Sequence, residues 1–259
     1  MSVPTRIVLT LVSNRLLRRF LVRLSFLIGI LGSKVHLNPE IEISMRPLGI
    51  DTRFTIHLLR RDLASLVEVF FNHVYDRFCT IGLGDMIVDC GAYIGEFTIY
   101  AARMVGCDGL VLAFEPNPES FRLCIRNIGA NNLKNAMVFN TGLGREERIG
   151  YMEIDEANPG GSKIIWRSEK SSAPAVHVKT LTQFADQMQG RVIKLLKIDT
   201  EGSAVDIVSG AAALFERRLV RNIAAEIHSG EHDLEHMLEL YGFACSHVGS
   251  YLYASLTSS

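Results

Sequence analysis

The chain has 259 residues, a formal net charge of −1 and five cysteines. A single α/β domain of this length can bury roughly three-quarters of the surface that its unfolded chain exposes. No long run of like charge is present, so nothing in the composition favours nucleic-acid binding. The cysteines form neither a CxxC pair nor a zinc-ligand spacing, so we expect reduced core thiols in a cytoplasmic protein.

The N-terminal segment, residues 1–38, differs in charge from the remainder. Residues 1–39 carry six Lys or Arg and no Asp or Glu, whereas residues 40–259 have a net charge of −7. One basic helical stripe is predicted, at Arg15, Arg18, Arg19 and Arg23. The apolar run at 24–31 is shorter than the roughly 20 residues that a membrane span needs. We expect a basic amphipathic segment over 1–38 that lies at an anionic membrane surface or packs on a domain formed by 39–259. A cleavable signal peptide fits the long basic region less well.

Residues 40–84 are predicted to form a hairpin and a helix ahead of the main sheet. The stretch 40–45 alternates apolar and polar residues as a strand does, and 53–58 is predicted to pair with it through a turn at 49–51. An amphipathic helix is predicted over 63–78, with these apolar residues on one face: Leu66, Val69, Phe70 and Val74.

The central motif of the chain is a predicted strand, a glycine turn and a helix. Residues 86–88 are apolar, the stretch from Asp89 to Gly95 reads D-C-G-A-Y-I-G, and 96–105 has helical periodicity. Gly91 and Gly95 leave room for a ligand to approach the backbone, and the N–H groups at the start of the helix suit an anionic group. We expect the Asp89 carboxylate to face the ligand, where it would repel a pyrophosphate and attract an ammonium group. The missing G-x-G-x-x-G spacing disfavours a nicotinamide dinucleotide.

A second acid ends the next predicted strand. Residues 110–114 are apolar and are followed by Glu115, Pro116 and Asn117. An acid in this position can accept hydrogen bonds from both ribose hydroxyls of an adenosine. Asn117 is predicted to cap a helix whose first residue is Pro118. The predicted buried face of that helix consists of Phe121, Cys124, Ile125 and Ile128.

Strands and helices alternate over the rest of the chain, with one long interruption. Further strands are predicted at 137–139, 148–154, 176–178, 193–198, 222–225, 244–248 and 251–256. Further helices are predicted at 181–188 with a Thr180 capping box, after a Ser203 cap, and at 231–241. Residues 155–174 contain Gly160, Gly161, Ser162 and Trp166, and are predicted to form a lid or substrate-recognition loop, with plain disorder as the alternative.

Polar residues follow the fourth and fifth strands of the predicted sheet. Asp199 and Glu201 come after strand 193–198, and Glu226 and His228 come after strand 222–225. Ligands lie beyond the carboxyl ends of the strands in open α/β sheets, so we expect Asp199, Glu201 and His228 to converge on the reacting group. His228 is predicted to act as a general base, because imidazole ordinarily titrates near neutral pH. Two alternatives remain open: His228 only orders its loop, or the three residues bind a divalent ion.

Four stretches of the sequence, in this order, resemble the FkbM family of S-adenosylmethionine-dependent methyltransferases: GDMIVDCGAYIGEFT, AFEPNPESFRLCIRN, LLKIDTEG and AAEIH. The resemblance extends from about Phe54 to the C-terminus. It implies an α/β, Rossmann-like class I methyltransferase fold, with a mostly parallel seven-stranded sheet, an antiparallel last strand and helices on both faces. The chain departs from the family at Tyr93, where Asn is usual, and at 141–144, where small residues followed by an acid are usual.

The resemblance also implies S-adenosylmethionine as the cofactor, no metal, and an acceptor oxygen on a sugar, glycolipid or small natural product. Together with the motifs, it places the cofactor against Asp89, Gly91, Ala92, Tyr93, Gly95, Glu115, Pro116, Asn117, Thr141, Gly142 and Asp199. His228, Asp199 and Glu201 are expected to carry the transfer step. Two other functions remain open: a NAD-dependent Rossmann oxidoreductase, and a non-catalytic, membrane-associated module with a cofactor-binding fold.

Overall fold

The computed structural model describes residues 5–7, 40–46, 49, 51–57, 60, 62–155, 159–166, 173–231 and 233–257. Its strands are β1 (Thr5–Ile7), β2 (Glu40–Met45), β3 (Thr52–His57), β4 (Met86–Cys90), β5 (Leu110–Phe114), β6 (Ala136–Phe139), β7 (Gly142–Leu143), β8 (Arg148–Glu153), β9 (Lys163–Ile165), β10 (Ala175–Lys179), β11 (Ile193–Ile198), β12 (Asn222–Glu226), β13 (Phe243–Val248) and β14 (Tyr251–Leu256). Its α-helices are α1 (Asp62–Phe70), α2 (Glu96–Val105), α3 (Pro118–Ala130), α4 (Ala204–Gly210), α5 (Ala212–Glu216) and α6 (Asp233–Leu240). Two short 3-10 helices cover Pro159–Gly161 and Leu181–Phe184.

A seven-stranded sheet in the order β13-β14-β12-β11-β4-β5-β6 forms the centre of the molecule. Its central strands pair in parallel, and β14 runs antiparallel to both of its neighbours. The two-residue connection Gly249-Ser250 between β13 and β14 accounts for the reversal, since so short a link can join only antiparallel strands. The predicted Rossmann-like sheet with an antiparallel last strand is confirmed.

Helices cover both faces of this sheet. One face packs against α1, α2 and α3, and the other packs against the 3-10 helix Leu181–Phe184 together with α4, α5 and α6. The central strands are therefore buried on both sides, which is why each of them is an almost continuous apolar run.

A three-stranded sheet, β1-β2-β3, lies beside α3. The predicted hairpin of β2 and β3 is confirmed as an antiparallel pair. The side-chain amide of Asn127 in α3 is hydrogen-bonded to the backbone of β3. It accepts from Thr55 N at 2.6 Å and donates to Thr55 O at 3.1 Å. Asn131, one helical turn later, does the same with the backbone of Arg53. The prediction that Ile125 lies on the buried face of this helix is wrong, because its side chain is 45% exposed.

A second small sheet, β7-β10-β8-β9, is formed by four strands that follow β6 along the chain. Part of the predicted loop 155–174 is therefore ordered, since β9 pairs with β8. Ile164 of β9 lies against the backbone of Gly142 and Gly150, where an added Cβ would come within 2.4 and 2.5 Å of it. Residues 156–158 and 167–172 of the predicted loop lie outside the described residues.

Several predicted helices are shorter in the structure. The helix predicted over 63–78 ends at Phe70, and His73 just beyond it has a φ of 50°, which a helix does not continue through. The stretch 181–188 forms a 3-10 helix over its first four residues and then turns.

The N-terminal segment is described only at Thr5–Ile7, which pair in parallel with β2 as a strand of the small sheet. The predicted arginine stripe lies outside the described residues. None of the helices in the described ranges is both long enough and apolar enough to cross a membrane.

Candidate active site

A cleft opens at the carboxyl ends of β4, β5, β11 and β12. The residues lining it are Ala64, Ser65, Glu68, Cys90, Gly91, Tyr93, Glu96, Phe114, Glu115, Pro116, Thr141, Gly142, Leu143, Gly160, Ser162, Ile164, Asp199, Thr200, Glu201, Ser203, Glu226 and Tyr251. This position is where ligands bind in open α/β sheets. Most of the predicted site residues lie at this edge, but not all of their side chains line the cleft.

The glycine turn after β4 is held against β11 so closely that only glycine fits. A Cβ on Gly91 would lie 1.8 Å from the carbonyl oxygen of Asp199, and its φ of 81° is in the left-handed region. The N–H groups of Gly91 and Ala92 both donate to Phe114 O at 3.0 Å. The turn is therefore fixed to β5 as well as to β11 before any ligand arrives.

Tyr93 occupies the turn position where the family usually has Asn. Its φ is 48°, a left-handed conformation that Asn tolerates better than an aromatic residue does. Its hydroxyl donates to Asp62 Oδ1, which connects the turn to α1. Its backbone N–H donates to Glu115 Oε2 at 2.8 Å. At the position where the chain departs from the family pattern, the turn is thus hydrogen-bonded to α1.

Glu115 lies at the end of β5 with its carboxyl group at the cleft. Its two oxygens accept from the N–H groups of Tyr93 and Asn117, each at 2.8 Å. Burial raises the pKa of Glu115 to about 7, although those two N–H groups act in the opposite direction. Asn117 caps α3 by accepting from Glu119 N, as predicted, and is itself buried.

Asp89 does not line the cleft, in contrast to the predicted orientation of its carboxylate toward the ligand. Its side chain is fully buried on the face of the sheet that packs against α2. Thr98 of α2 donates to Asp89 Oδ2 at 2.6 Å, and Lys197 Nζ lies 3.0 Å from Asp89 Oδ1. The alternation of side chains along β4 turns this residue away from the ligand, so any effect on a cofactor passes through other residues.

Lys197 is a site residue that sequence reasoning missed. It is the register partner of Asp89 across β11 and β4, so both side chains project from the same face. Its Nζ also donates to Gly91 O at 2.5 Å and lies 3.9 Å from Asp199 Oδ2. Burial alone would lower the pKa of Lys197, but the carboxylates of Asp89, Asp199 and Glu96 outweigh it and raise that pKa above its ordinary value. The available signal was a single charged residue inside the apolar strand IKLLKI.

Glu96, the first residue of α2, was also missed. It lines the cleft although its side chain is only 9% exposed. Its Oε2 has no hydrogen-bond partner among the described residues. Burial is the largest cause that raises the pKa of this carboxyl group to about 8. The cleft thus contains an acid that is protonated at neutral pH and has one oxygen unpaired.

Thr141 and Gly142 follow the third strand of the main sheet and line the cleft, as predicted. The Thr141 hydroxyl donates to His177 O at 2.7 Å, which anchors this edge to β10. Phe114, Leu143 and Ile164 supply apolar surface beside them. This end of the cleft is suited to a flat, apolar ring system.

Asp199, Glu201 and Glu226 line the opposite end of the cleft, and the side chains of Tyr75 and His228 contact two of them. Tyr75 OH donates to Asp199 Oδ2 at 2.7 Å, and Nδ1 of His228 lies 3.3 Å from Glu201 Oε2. Burial, and after it the Asp199 carboxylate, raise the pKa of Glu226 to about 7. His228 thus contacts Glu201, and one atom each of Asp199, Glu226 and His228 lies within 4.8 Å of the others, while the convergence of Asp199, Glu201 and His228 on a reacting group stays a prediction.

His228 stands behind this group and is absent from the residues that line the described cleft. Its Nε2 is buried and has no partner among the described residues. Its loop is held by Glu231, a buried acid that accepts from His228 N at 2.8 Å and from Ala204 N at 2.6 Å. The predicted Ser203 cap of α4 is therefore wrong. The Ser203 side chain makes no capping hydrogen bond, and Glu231 from another loop accepts from the first N–H of that helix.

A metal ion has one candidate location among the described residues. Asp199, Glu226 and His228 can each offer one ligand atom, and these atoms lie within 4.8 Å of one another. The group differs from the set named from sequence, because Glu226 takes the place of Glu201. Two carboxylate oxygens and an imidazole nitrogen are ligands that several divalent metals accept.

Comparison with known proteins gives consistent matches. A family model described as the methyltransferase FkbM domain matches residues 89–247, more than half of the chain. Methyltransferase 1 of Beauveria bassiana (strain ARSEF 2860) is 27% identical over 201 residues, which cover 68% of this chain and 79% of that protein. Methyltransferase sdnD of Sordaria araneosa is 26% identical over 189 residues, which cover 61% of this chain and 72% of that protein.

Among solved structures, the methyltransferase FkbM from Methylobacillus flagellatus KT matches with a TM-score of 0.49 and 17% sequence identity. The match covers 73% of this chain and 47% of that one, so this chain spans about half of that protein's length.

Proposed function

Because this chain belongs to the FkbM family of S-adenosylmethionine-dependent methyltransferases, we propose that it methylates an oxygen on a neutral, hydroxylated acceptor such as a sugar, a glycolipid or a small natural product. The observation that carries the proposal is the division of the cleft. One end combines apolar surface with Glu115, and the other end combines Asp199, Glu201 and Glu226. A nucleoside fits the first end, and a group with several hydroxyls fits the second.

The cofactor occupies the first end in this proposal. Glu115 accepts hydrogen bonds from the ribose hydroxyls, for which each of its oxygens retains acceptor capacity beside one backbone N–H. The adenine lies against Phe114, Leu143 and Ile164. Gly91 and Asp199 would then hold the part of the cofactor that carries the sulfonium, which supplies the methyl group. Asp89 acts indirectly, since its ion pair with Lys197 holds the turn in place.

The acceptor occupies the second end. The cleft is lined there by the carboxyl groups of Glu68, Asp199, Glu201 and Glu226. Carboxylates accept hydrogen bonds from hydroxyl groups and repel phosphates and carboxylates. This charge distribution supports a neutral acceptor and disfavours an anionic one, including the backbone of a nucleic acid.

The transfer step is an in-line displacement. An acceptor oxygen forms a bond to the methyl carbon while the carbon–sulfur bond breaks and its electron pair stays on sulfur. The products are S-adenosylhomocysteine, a methyl ether and the hydroxyl proton. His228 receives that proton in this proposal, with Glu201 beside its Nδ1 and Asp199 positioning the acceptor. Nε2 of His228 is buried in this structure. Binding of the acceptor therefore has to bring its hydroxyl group into contact with that nitrogen.

The experiment starts with native mass spectrometry of the purified full-length protein. Bound S-adenosylmethionine or S-adenosylhomocysteine is the expected result. Tight NADH binding without S-adenosylmethionine binding would contradict the proposal and favour the oxidoreductase alternative.

The protein is then incubated with S-adenosylmethionine that carries a labelled methyl group, together with neutral glycans, glycolipids or hydroxylated natural products as acceptors. A base-stable methyl ether is the expected product, whereas a base-labile product would be a methyl ester on a carboxylate acceptor. Cofactor binding without transfer to any acceptor would favour the non-catalytic module. A rate abolished by EDTA and restored by Mn²⁺ would place a metal at Asp199, Glu226 and His228 in place of the base mechanism.

A further inference from the structure

Glu96 is the buried acid of the cleft whose carboxyl oxygen lacks a partner. It begins α2 directly after Gly95, so its backbone belongs to the ligand-facing start of that helix. Its carboxyl group accepts a hydrogen bond from its own backbone N–H, while Oε2 is buried without any partner in the described part of the chain. A buried polar oxygen in this state costs free energy unless a ligand completes it. A donor arriving in the cleft would remove that cost.

The other acids near the glycine turn are already engaged by donors. Asp89 has Thr98 and Lys197 and does not line the cleft. Asp199 has the Tyr75 hydroxyl on Oδ2 and Lys197 at 3.9 Å. Glu115 has two backbone N–H groups and lies at the nucleoside end. Glu96 therefore keeps a buried oxygen open to a donor, although the Lys197 ammonium on β11 and its own backbone N–H already favour its ionised form.

We propose that Glu96 binds the α-ammonium group of the cofactor's methionine part, in an amino-acid subsite that it forms with the glycine turn and the start of α2. The inference rests on the proposed function, since it assigns one end of the same cofactor. The carboxylate of the methionine part meets the N–H groups at the start of α2, a helix of ten residues. A zwitterion is thus matched by an acid and a helix N-terminus placed side by side.

The protonation state of Glu96 gives the subsite a measurable signature. With its pKa raised to about 8, the carboxyl group is largely protonated at pH 7 in the ligand-free protein. An ammonium group in contact with it favours the ionised form, so binding releases its proton. The proton goes to the buffer, and its release can be measured by calorimetry.

The test compares two ligands on the full-length protein. S-adenosylhomocysteine contains the amino acid, and 5′-methylthioadenosine has the same nucleoside and sulfur without it. Glu96→Gln is expected to weaken S-adenosylhomocysteine binding by about 10-fold or more, because an ammonium–carboxylate hydrogen bond raises affinity by roughly that factor of ten. The same substitution should leave the affinity for 5′-methylthioadenosine within about twofold. Glu216→Gln, at an exposed position of α5, is the matched control and should change neither affinity.

A second measurement uses the wild-type protein alone and so does not depend on the folding of a variant. Calorimetric titrations at pH 7 in buffers of different ionisation enthalpy should show S-adenosylhomocysteine releasing close to one proton more than 5′-methylthioadenosine does. Equal proton release, or an equal loss of both affinities in Glu96→Gln, would overturn the inference while leaving the proposed function intact. Failure of both ligands to bind the wild-type protein would overturn the proposed function and the inference with it.

Discussion

At the scale of single residues, the site depends on how burial and pairing divide the acids into different roles. Asp89 is fully buried and forms an ion pair with Lys197, which in turn donates a hydrogen bond to the glycine turn. Glu115 and Glu96 are also buried, yet each lines the cleft and has a raised pKa because burial disfavours its charged form. These three acids lie within 27 residues of one another in sequence, and their environments determine what each can do.

Glu96 should lower the stability of the folded protein at neutral and higher pH. Its pKa is about 8 in the fold against an ordinary value of 4.5, so above pH 4.5 the unfolded chain gives up a proton that the folded chain retains. The contribution of Glu96 to the free energy of unfolding therefore falls as pH rises from about 4.5 to about 8 and is level above that. Glu96→Gln removes this titration, so its stability advantage over wild type should grow by on the order of a few kcal/mol across that window. Thermal unfolding at several pH values measures it, and an advantage that does not change with pH would contradict the expectation.

Glu115→Ala should weaken the binding of S-adenosylhomocysteine and 5′-methylthioadenosine alike. The substitution removes an acceptor for the ribose, and a hydrogen bond to a charged acceptor contributes about 1.5–3 kcal/mol, or roughly 10-fold or more in affinity. Isothermal titration calorimetry gives both constants. Unchanged affinity for both ligands would show that the ribose binds elsewhere.

His228→Ala should lower the turnover number by about 10²–10⁴-fold with a hydroxyl acceptor, since it removes the proposed proton acceptor. The affinity for S-adenosylhomocysteine should remain close to that of wild type, because His228 is not among the residues that line the described cleft. His236→Ala on α6, where the side chain is exposed, is the matched control. A large loss of cofactor affinity with turnover preserved would show that His228 is a binding residue.

At the scale of secondary-structure elements, α3 has two tasks that its sequence pattern does not display together. Its start is capped by Asn117 next to Glu115, which ties the helix to the cofactor end of the cleft. Its later turns carry Asn127 and Asn131, whose amides satisfy the backbone of β3. An edge strand is thereby paired with side chains of a helix in place of another strand.

Asn127→Ala should destabilise the protein by about 2–4 kcal/mol, because the backbone N–H and carbonyl of Thr55 and the carbonyl of Ile94 lose their buried partner, the Asn127 amide. Ile125→Ala is the matched comparison on the same helix, and it should cost less than about 1 kcal/mol, since the side chain is largely outside the core. Urea unfolding of both variants measures the difference. A larger loss in Ile125→Ala than in Asn127→Ala would contradict this arrangement of α3.

At the scale of the whole molecule, the segments before the main sheet complete the site. Residues of α1 line the cleft, and the Tyr93 hydroxyl connects the glycine turn to Asp62 at the start of that helix. Tyr75, a few residues later, donates to Asp199 at the acceptor end. The segment from 62 to 79 precedes the part matched by the family model, yet its residues Ala64, Ser65 and Glu68 line the cleft.

The N-terminal segment provides a test of membrane contact on the full chain. We propose that the basic stripe of residues 1–38 binds anionic membrane surfaces. Replacing Arg15, Arg18, Arg19 and Arg23 with Gln should reduce binding to phosphatidylserine-containing vesicles by at least about 10-fold, because each basic residue near such a surface contributes about 1 kcal/mol. Raised salt should weaken the wild-type binding as well. Equal sedimentation of both proteins with these vesicles would favour a segment that packs on the domain.

The sequence by itself determined where most of the main strands lie along the chain, the glycine turn, the Asn117 cap and the acids at the ends of β4, β5 and β11, whereas the arrangement of the strands in one sheet was implied by the resemblance to the FkbM family. These features depend on neighbours in the chain: apolar runs bounded by turns, and residue types with strong local preferences. The part of the chain between 155 and 174 was harder to predict, because β9 forms only by pairing with β8 across that segment.

Only the tertiary structure decided which acids line the cleft. Asp89 was predicted to do so from its place before the glycine turn, but the parallel register of β4 and β11 sets it opposite Lys197 and beneath the cleft. Glu96 reaches the cleft through the packing of α2, which no local pattern encodes, whereas Glu226 lines it at the edge that its place after the fifth strand predicts. The physical reason is that the burial and pairing of a charged group depend on strands far apart in sequence, whereas the turns and caps depend on residues within a few positions.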